Sequence, residues 1–505
     1  MTFSLLGIDG FPVQVEVDIS RGLPAFNVVG LPDPAVKEAG ARVKSAVRNS
    51  GFQFPVRRIT VNLSPADMKK EGPHFDLPIA LGILAASEQL DRASLEGLCF
   101  VGELSLNGSL RPVRGVLPMA LLARKSGLKG IVLPRENAAE ACLAGEMPVY
   151  PADGLGQVVK MLARRRLHPF VPGKKEEWKG QGEDFCHVKG QEGAKRAMEI
   201  AAAGGHNLLM VGPPGAGKTM LARCLPSILP SMNRDESLEV TKIYSTAGLL
   251  TGTEALVGER PFRSPHHSIS MAALVGGGRF PRPGEVTLAH NGVLFMDELS
   301  EFHKHVLEVL RQPLEEGFVT ISRAQGTVRF PSAFTLVAAM NPCSCGQLGT
   351  GHCTCSDGML HRHQNRLSGP LMDRIDMYIE VPPLPYEALS RGSKAETSRE
   401  IRARVERARE VQNFRFRTHK FHCNSYMVPL HIKEHCRLEK DAESLLKETF
   451  TRLSLSPRSY FRILKLSRTI ADLEGREAIE IHHLAEAVQY RSENKVMPAE
   501  AAGRL

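Results

Sequence analysis

No apolar stretch of the 505-residue chain approaches the roughly 18 residues needed to cross a bilayer, so no membrane partner is expected. The opening MTFSLLGIDGF has neither a basic leader nor a long apolar run; no export signal is read there, and a cytoplasmic location is expected. Internal repeats and low-complexity tracts are lacking. With 42% hydrophobic and 24% charged residues, the composition excludes a disordered or collagen-like chain. Charge of one sign is only mildly in excess, at +9, which permits a nucleic-acid partner without requiring one. In a reducing compartment the ten cysteines should be thiols or metal ligands rather than disulfides.

The length excludes a single core and leads us to expect about two to four domains. Residues 1–168 alternate strand-like runs (VQVEVDI, RITVNL, GIVLP) with helical ones (AVKEAGARVKSAVRNSG, LPMALLARKSG), an α/β or α+β pattern. Residues 169–185, including VPGKKEEWKGQGEDF, read as an exposed linker. From 186 to 384 the strands NLLMV, GVLFM, FTLVAAM and MYIEV are apolar nearly throughout, which predicts a mostly parallel sheet covered on both faces. Residues 385–505 read as helical: the charged SREIRARVERAREVQNFRFR, then three shorter helices.

What is present is a phosphate loop. GPPGAGKT fits G-x-x-x-x-G-K-[ST] and lies between a buried strand and a helix, as the motif requires. The loop Gly212, Pro213, Pro214, Gly215, Ala216, Gly217, Lys218 and Thr219 would cradle ATP phosphates with backbone N–H groups and a helix N-terminus. Lys218 would reach the β- and γ-phosphates, and Thr219 would ligate Mg²⁺. GVLFMDE then sets two acids at the carboxyl end of a buried strand, where parallel sheets bind ligands. Asp297 would hold Mg²⁺ through water; Glu298 would orient or deprotonate the attacking water. The strand FTLVAAM delivers Asn341 to the same edge, the sensor-1 position of AAA+ ATPases. Arg374, before MYIEV, and Arg458, at the start of a lid helix, match an arginine finger and a sensor-2 arginine. A finger acting in trans supplies roughly 10³–10⁵ in rate and requires a neighbouring subunit, so a ring, a homo-hexamer, is the expected assembly.

Taken together, these motifs resemble one AAA+ branch, that of magnesium-chelatase motor subunits and MCM helicases. ERPFRSPHHSISMAALVGGG (259–278) stands where that branch carries its helix-2 insertion, and LEEGFVTISRAQGTVRFPSAF (314–334) reads as its pre-sensor-1 hairpin. In helicases of the branch such hairpins grip DNA, making Arg323 and Arg329 candidates for phosphate contacts; solubility and pairing at an ATP interface are the alternatives. His266 and His267 are metal ligands or, by preference, pore-loop or structural residues. The run FNVVGLPDPAVKEAGARVKSAVRNSGFQFPVRRITVNLSPADMKKEGPHFDLPIALGILAAS closely resembles the amino-terminal part of the YifB/ComM family, the magnesium chelatase-like ATPases. The resemblance covers essentially the whole chain. It implies a hexameric ATP-driven DNA helicase that promotes branch migration, acting on branched or single-stranded DNA. A remodeller of protein complexes, as in magnesium chelatase, is the alternative.

The first region also resembles the proteolytic domain of Lon, notably in VGELSLNGSLRPVRGVLPMALLARKSGLKGIVLPREN. Lon's nucleophilic serine follows a DGP-like triplet. Here the triplet is EGP and the next residue is His74, while the activating lysine's counterpart falls at or near Leu117. Without nucleophile and amine base, no proteolysis is expected. Finally, MNPCSCGQLGTGHCTC places Cys343, Cys345, Cys353 and Cys355 on the loop leaving Asn341. Two C-x-C pairs about a Gly-rich turn can fold back into a tetrahedral zinc site; free thiols and a redox switch are the other readings.

Overall fold

Successive residues of the central strands point into two different cores, which is why these strands are apolar throughout. In Leu208–Val211, Leu208 and Met210 join the core on one side of the sheet, Leu209 and Val211 the core on the other. Val293–Met296, Thr335–Met340 and Met377–Glu380 divide in the same way. In the computed structural model, which describes residues 1–173, 183–250, 256–278, 281–323, 326–349, 351–384, 386, 396–419, 421–453 and 455–491, these strands form one parallel sheet. Its order is Phe262–Arg263, Val293–Met296, Thr335–Met340, Leu208–Val211, Met377–Glu380. From Leu208–Val211 the chain goes to the far edge, works back to Thr335–Met340, then crosses to the other side. The order therefore reverses at Leu208–Val211, and a crevice opens at the carboxyl ends of strands at such a point.

One face is covered by helices Glu192–Gly204 and Lys218–Ile228 and by the C-terminal helices, whose Ile401, Val405, Ile463, Leu466 and Ile470 complete the core. After Ser398–Arg415 there are four helices among the described residues, Pro429–His435, Lys440–Arg452, Pro457–Leu473 and Ile481–Gln489, where periodicity suggested three. Pro429 and Pro457 each open a new helix, since proline fits the first turn, where its missing N–H costs nothing. Most of the linker expected at 169–185, residues 174–182, lies outside the described residues, as do 385, 387–395 and 492–505 of the expected lid. Phe185 departs from the exposed-linker expectation: it is fully buried, its N–H held 2.9 Å from Ser398 Oγ, and it belongs to the core on the Leu208 side of the sheet.

On the other face lie helix Arg234–Ala247 and the hairpin Phe318–Arg323/Gly326–Pro331. Val319, Ile321, Val328 and Phe330 pack inward, so the hairpin is seated on the body rather than projecting as an arm. Residues 324 and 325 and the side chain of Arg323 lie outside the described residues.

The amino-terminal region has a mixed sheet in the order Thr2–Leu6, Asp9–Ser20, Arg58–Ser64, Ala25–Val29 and a parallel one, Leu98–Phe100, Gly130–Pro134, Val149–Ala152. The helix expected from AVKEAGARVKSAVRNSG is two, Pro34–Lys37 and Ala39–Asn49, because Glu38 closes the first while starting the second. This region is fastened to helix Arg234–Ala247. Gly115 N–H donates to Ser245 O at 3.1 Å, Lys242 pairs with Asp9, and the Ser245 hydroxyl donates to Glu140, whose carboxyl burial pushes up. Ile8 reaches the core beneath the hairpin.

Candidate nucleotide site

Where Leu208–Val211 ends, the chain passes so close to the next strand that a Cβ on Gly212 would lie 2.2 Å from Val381 O. Gly215 and Gly217 then adopt φ of +78° and +90°, a region that favours glycine. Gly217 caps helix Lys218–Ile228 without offering a side-chain acceptor, which leaves the first-turn N–H groups to an anion. Lys218 is buried, and its three ammonium protons have three acceptors: Gly212 O at 2.6 Å, Pro213 O at 2.9 Å and Asn341 Oδ1 at 3.2 Å. Burial pushes its pKa down, while Asp297 and Glu298 act to raise it. Lys218 and Asn341, 123 positions apart, meet because their strands are hydrogen-bonded neighbours.

Thr219 Oγ1 donates to Asp297 Oδ2 at 2.7 Å, and Glu298 N–H donates to the other carboxylate oxygen at 3.0 Å. A magnesium ion keeps several of its waters, so this pairing suits a site in which Thr219 would ligate the ion and Asp297 would hold it through a water. Glu298 sits at φ +51°, exposed, with Oε2 3.3 Å from His267 Nδ1. The His266 and His267 rings lie 4.1 Å apart at a tilt of 35°, and the contact with Glu298 ties the insertion to the acidic pair, which the sequence does not announce. A cleft of about 140 Å³ beside the loop is lined by Val188, Gln191, Ala216, Met220, Leu221 and Leu384. Its Gln191 bridges to Pro382 O at 2.7 Å. Only a short polar turn before helix Glu192–Gly204 could have marked that cleft in the sequence.

Arg374 and Arg458 are not part of this cluster. Val211 pairs with Glu380 in parallel, so Arg374, before Met377, lies at the amino edge of the sheet while the phosphate loop lies at the carboxyl edge. The intervening four-residue strand spans about 13 Å. Arg374 is buried and bonded to Glu315 and Pro370 O, and burial pushes its pKa down. Arg458 is exposed, 3.3 Å from Asp373. Both line one cavity of about 260 Å³ together with Glu315, Asp373, Asp376 and Arg462. Arg329 is exposed on the outer face of the hairpin, with its guanidinium 3.6 Å from the centre of the Phe318 ring.

The four cysteines do converge. Cys343, fully buried, is 3.4 Å from Cys345 and 3.8 Å from Cys353, and Cys345 is 3.6 Å from Cys353; with Cys355 all four sulfurs lie within 4.8 Å of one another. Their loop touches the nucleotide site: a Cβ on Gly346 would fall 2.7 Å from Pro214 Cδ. Buried His363, which no motif signalled, has Nε2 3.0 Å from Asn341 O. In the amino-terminal region His74 is buried with Nε2 3.0 Å from Phe3 O, its pKa pushed down to about 4 by burial, and Leu117 is fully buried.

Three family models match. The one described as "Magnesium chelatase, subunit ChlI" covers residues 184–389, "Subunit ChlI of Mg-chelatase" covers 15–137, and "Magnesium chelatase, subunit ChlI C-terminal" covers 395–491. The chain is 47% identical to Competence protein ComM of Haemophilus influenzae, over 96% of each chain. It is 43% identical to the uncharacterized protein YifB of Escherichia coli, over 98% of this chain and 97% of that one. A shorter similarity, 24% over 166 residues, joins it to Lon protease of Chloroflexus aurantiacus, covering 30% of this chain and 20% of the protease. With near-complete coverage at these identities, the chain belongs to the YifB/ComM family of magnesium chelatase-like AAA+ proteins.

Proposed function

We propose that this chain hydrolyses ATP as a homo-hexameric ring motor acting on branched or single-stranded DNA, as a helicase or branch-migration translocase. The observation that carries it is the convergence of Lys218, Thr219, Asp297 and Asn341 at one sheet edge, with Arg374 and Arg458 lining one cavity at the other. The cleft at Val188, Met220 and Leu384 takes the base, and the first turn of helix Lys218–Ile228 takes the phosphates. Lys218 exchanges its carbonyl acceptors for phosphate oxygens. Thr219 and Asp297 are the residues that would hold Mg²⁺, which neutralises charge on the β- and γ-phosphates when bound. Asn341 orients water or the γ-phosphate, and Glu298 accepts the water's proton as the O–P bond forms and the bond to ADP breaks.

Arg374 and Arg458 lie across the sheet from their own phosphate loop, which supports their serving the nucleotide of a neighbouring subunit and so a closed ring. The DNA half rests on the similarity to a competence protein, with Arg329 on the hairpin's outer face and Arg323 beside its turn as the candidate contacts. The three-part organisation (1–168, 186–384, 385–505) assigns the first part to assembly or DNA engagement, inactive as a protease for want of a serine and a lysine at His74 and Leu117. Cys343, Cys345, Cys353 and Cys355 are read as holding a structural zinc ion. The alternative, a remodeller with no DNA role, rests on the chelatase description of the matching families.

ATPase turnover with and without forked or single-stranded DNA tests the proposal. DNA should raise the rate and bind in a salt-sensitive way. A rate indifferent to DNA, without salt-sensitive binding, overturns the motor and leaves the remodeller.

A further inference from the structure

We propose that Cys343, Cys345, Cys353 and Cys355 bind one zinc ion as a tetrahedral tetrathiolate, and that the ion serves as a brace holding the phosphate loop and Asn341 in register. The sulfur positions carry the first half. Four Zn–S bonds of about 2.3 Å keep neighbouring sulfurs about 3.8 Å apart, and the three separations here are 3.4, 3.6 and 3.8 Å. Disulfides would instead join two pairs at about 2.0 Å, whereas Cys343, Cys345 and Cys353 form one mutually adjacent set with Cys355 beside it. Backbone N–H groups of Gln347 and Thr354 point at Cys345, the pattern that stabilises charged sulfur.

The second half follows from where the loop is attached. It leaves the sheet at Met340–Asn341, it presses Gly346, at φ +76°, against Pro214, and His363 just beyond it holds the carbonyl of Asn341. Residues 341–356 contain no helix or strand among the described residues and bury only Cys343 and Gly346, so the loop has little apolar packing of its own. An ion joining its two ends supplies the order that packing does not. Metal loss would free Gly346 and Asn341, and with them one wall of the phosphate loop and one acceptor of Lys218.

The test is made on the full chain, purified under reducing conditions without chelators. Elemental analysis should return one zinc per chain, and Co²⁺ added to the stripped protein should give the visible spectrum of a tetrahedral cobalt thiolate. Absence of zinc together with failure of Zn²⁺ and Co²⁺ to bind the reduced protein overturns the site, as does iron with labile sulfide in its place. The wild-type measurement stands even if Cys353→Ser or Cys355→Ser fails to fold; if they fold, each should lose the metal. For the brace, which rests on the nucleotide-site reading, a fluorescent ATP analogue is titrated onto metal-loaded and stripped protein of equal helicity. Stripped protein should bind at least about tenfold more weakly, the scale of one charge-assisted hydrogen bond lost. Equal affinity overturns the brace while leaving the metal site intact; no nucleotide binding by the metal-loaded protein counts against the nucleotide site instead.

Discussion

Lys218 is where the chain's chemistry is most concentrated, since a buried ammonium with three fixed acceptors is already positioned before any phosphate arrives. Lys218→Ala should abolish ATP binding and turnover, measured by nucleotide titration and phosphate release. Glu298→Gln should behave differently: it lies outside the Lys218 cluster, so the variant should bind ATP normally while turnover falls by at least about 10²-fold, the scale of one general base. Normal hydrolysis by that variant would show that Glu298 is not the base. Its partner His267 is a further lever. A carboxylate turned toward the insertion, at φ +51°, is not free to face water at the phosphate loop. His267→Ala should therefore raise the DNA-independent rate a few-fold, the equivalent of one hydrogen bond of about 1 kcal/mol. A fall instead would mean that the histidine positions the glutamate.

Among the elements, Met377–Glu380 and the turn before it tie the sheet to the C-terminal helices. Asp376 accepts Asn207 N–H at 3.1 Å and lies 3.3 Å from Arg462 Nε and 3.7 Å from His206. Burial acts to raise its pKa, but nearby His206 and the charges of Arg462 and Lys465 outweigh it and hold the carboxyl well below the usual range. A depressed carboxylate stabilises the fold above its unfolded pKa of about 3.9 and loses that stabilisation as pH falls through the folded value. Asp376→Asn should cost on the order of 3 kcal/mol at pH 7, as breaking a buried pair does. In denaturant titrations the gap between wild type and variant should close as the pH drops below about 4. A gap independent of pH would mean that lost shape, not lost charge, is responsible. The loop after Thr335–Met340 is tested by Gly346→Ala, in which the new Cβ meets Pro214 at 2.7 Å from a left-handed backbone. Weaker nucleotide binding with the fold retained is expected.

For the whole molecule, the separation of the phosphate loop from Arg374 and Arg458 across the sheet is the main consequence of the topology. If the proposed ring forms, a neighbour's arginine edge completes each phosphate-loop edge. Arg374→Ala and Lys218→Ala chains, each inactive alone, should recover part of the activity when mixed, because some mixed interfaces carry both an intact loop and an intact arginine. Failure to recover by two variants that still assemble would remove the trans role. The amino-terminal region is seated on helix Arg234–Ala247 and, through Ile8, on the core beneath the hairpin.

Much was readable from residues alone, for a physical reason: the phosphate loop and the acidic pair are local. GPPGAGKT specifies its own turn and helix start, and GVLFMDE carries its acids at the end of its own strand. The buried strands were equally plain, because a parallel sheet covered on both faces leaves no room for polar alternation. Long-range partners were not legible. His363 beside Asn341, His267 beside Glu298 and the cleft at Gln191 are made by strand order and helix placement, and no spacing in the chain encodes them. Phe185 looked like linker because its neighbours are polar, yet Ser398, 213 positions away, holds its backbone in the core. Local chemistry thus fixed the turn and helix start of the candidate phosphate loop, whereas strand order decided that both arginines lie away from it, because neighbouring parallel strands present their beginnings and ends at opposite edges of one sheet.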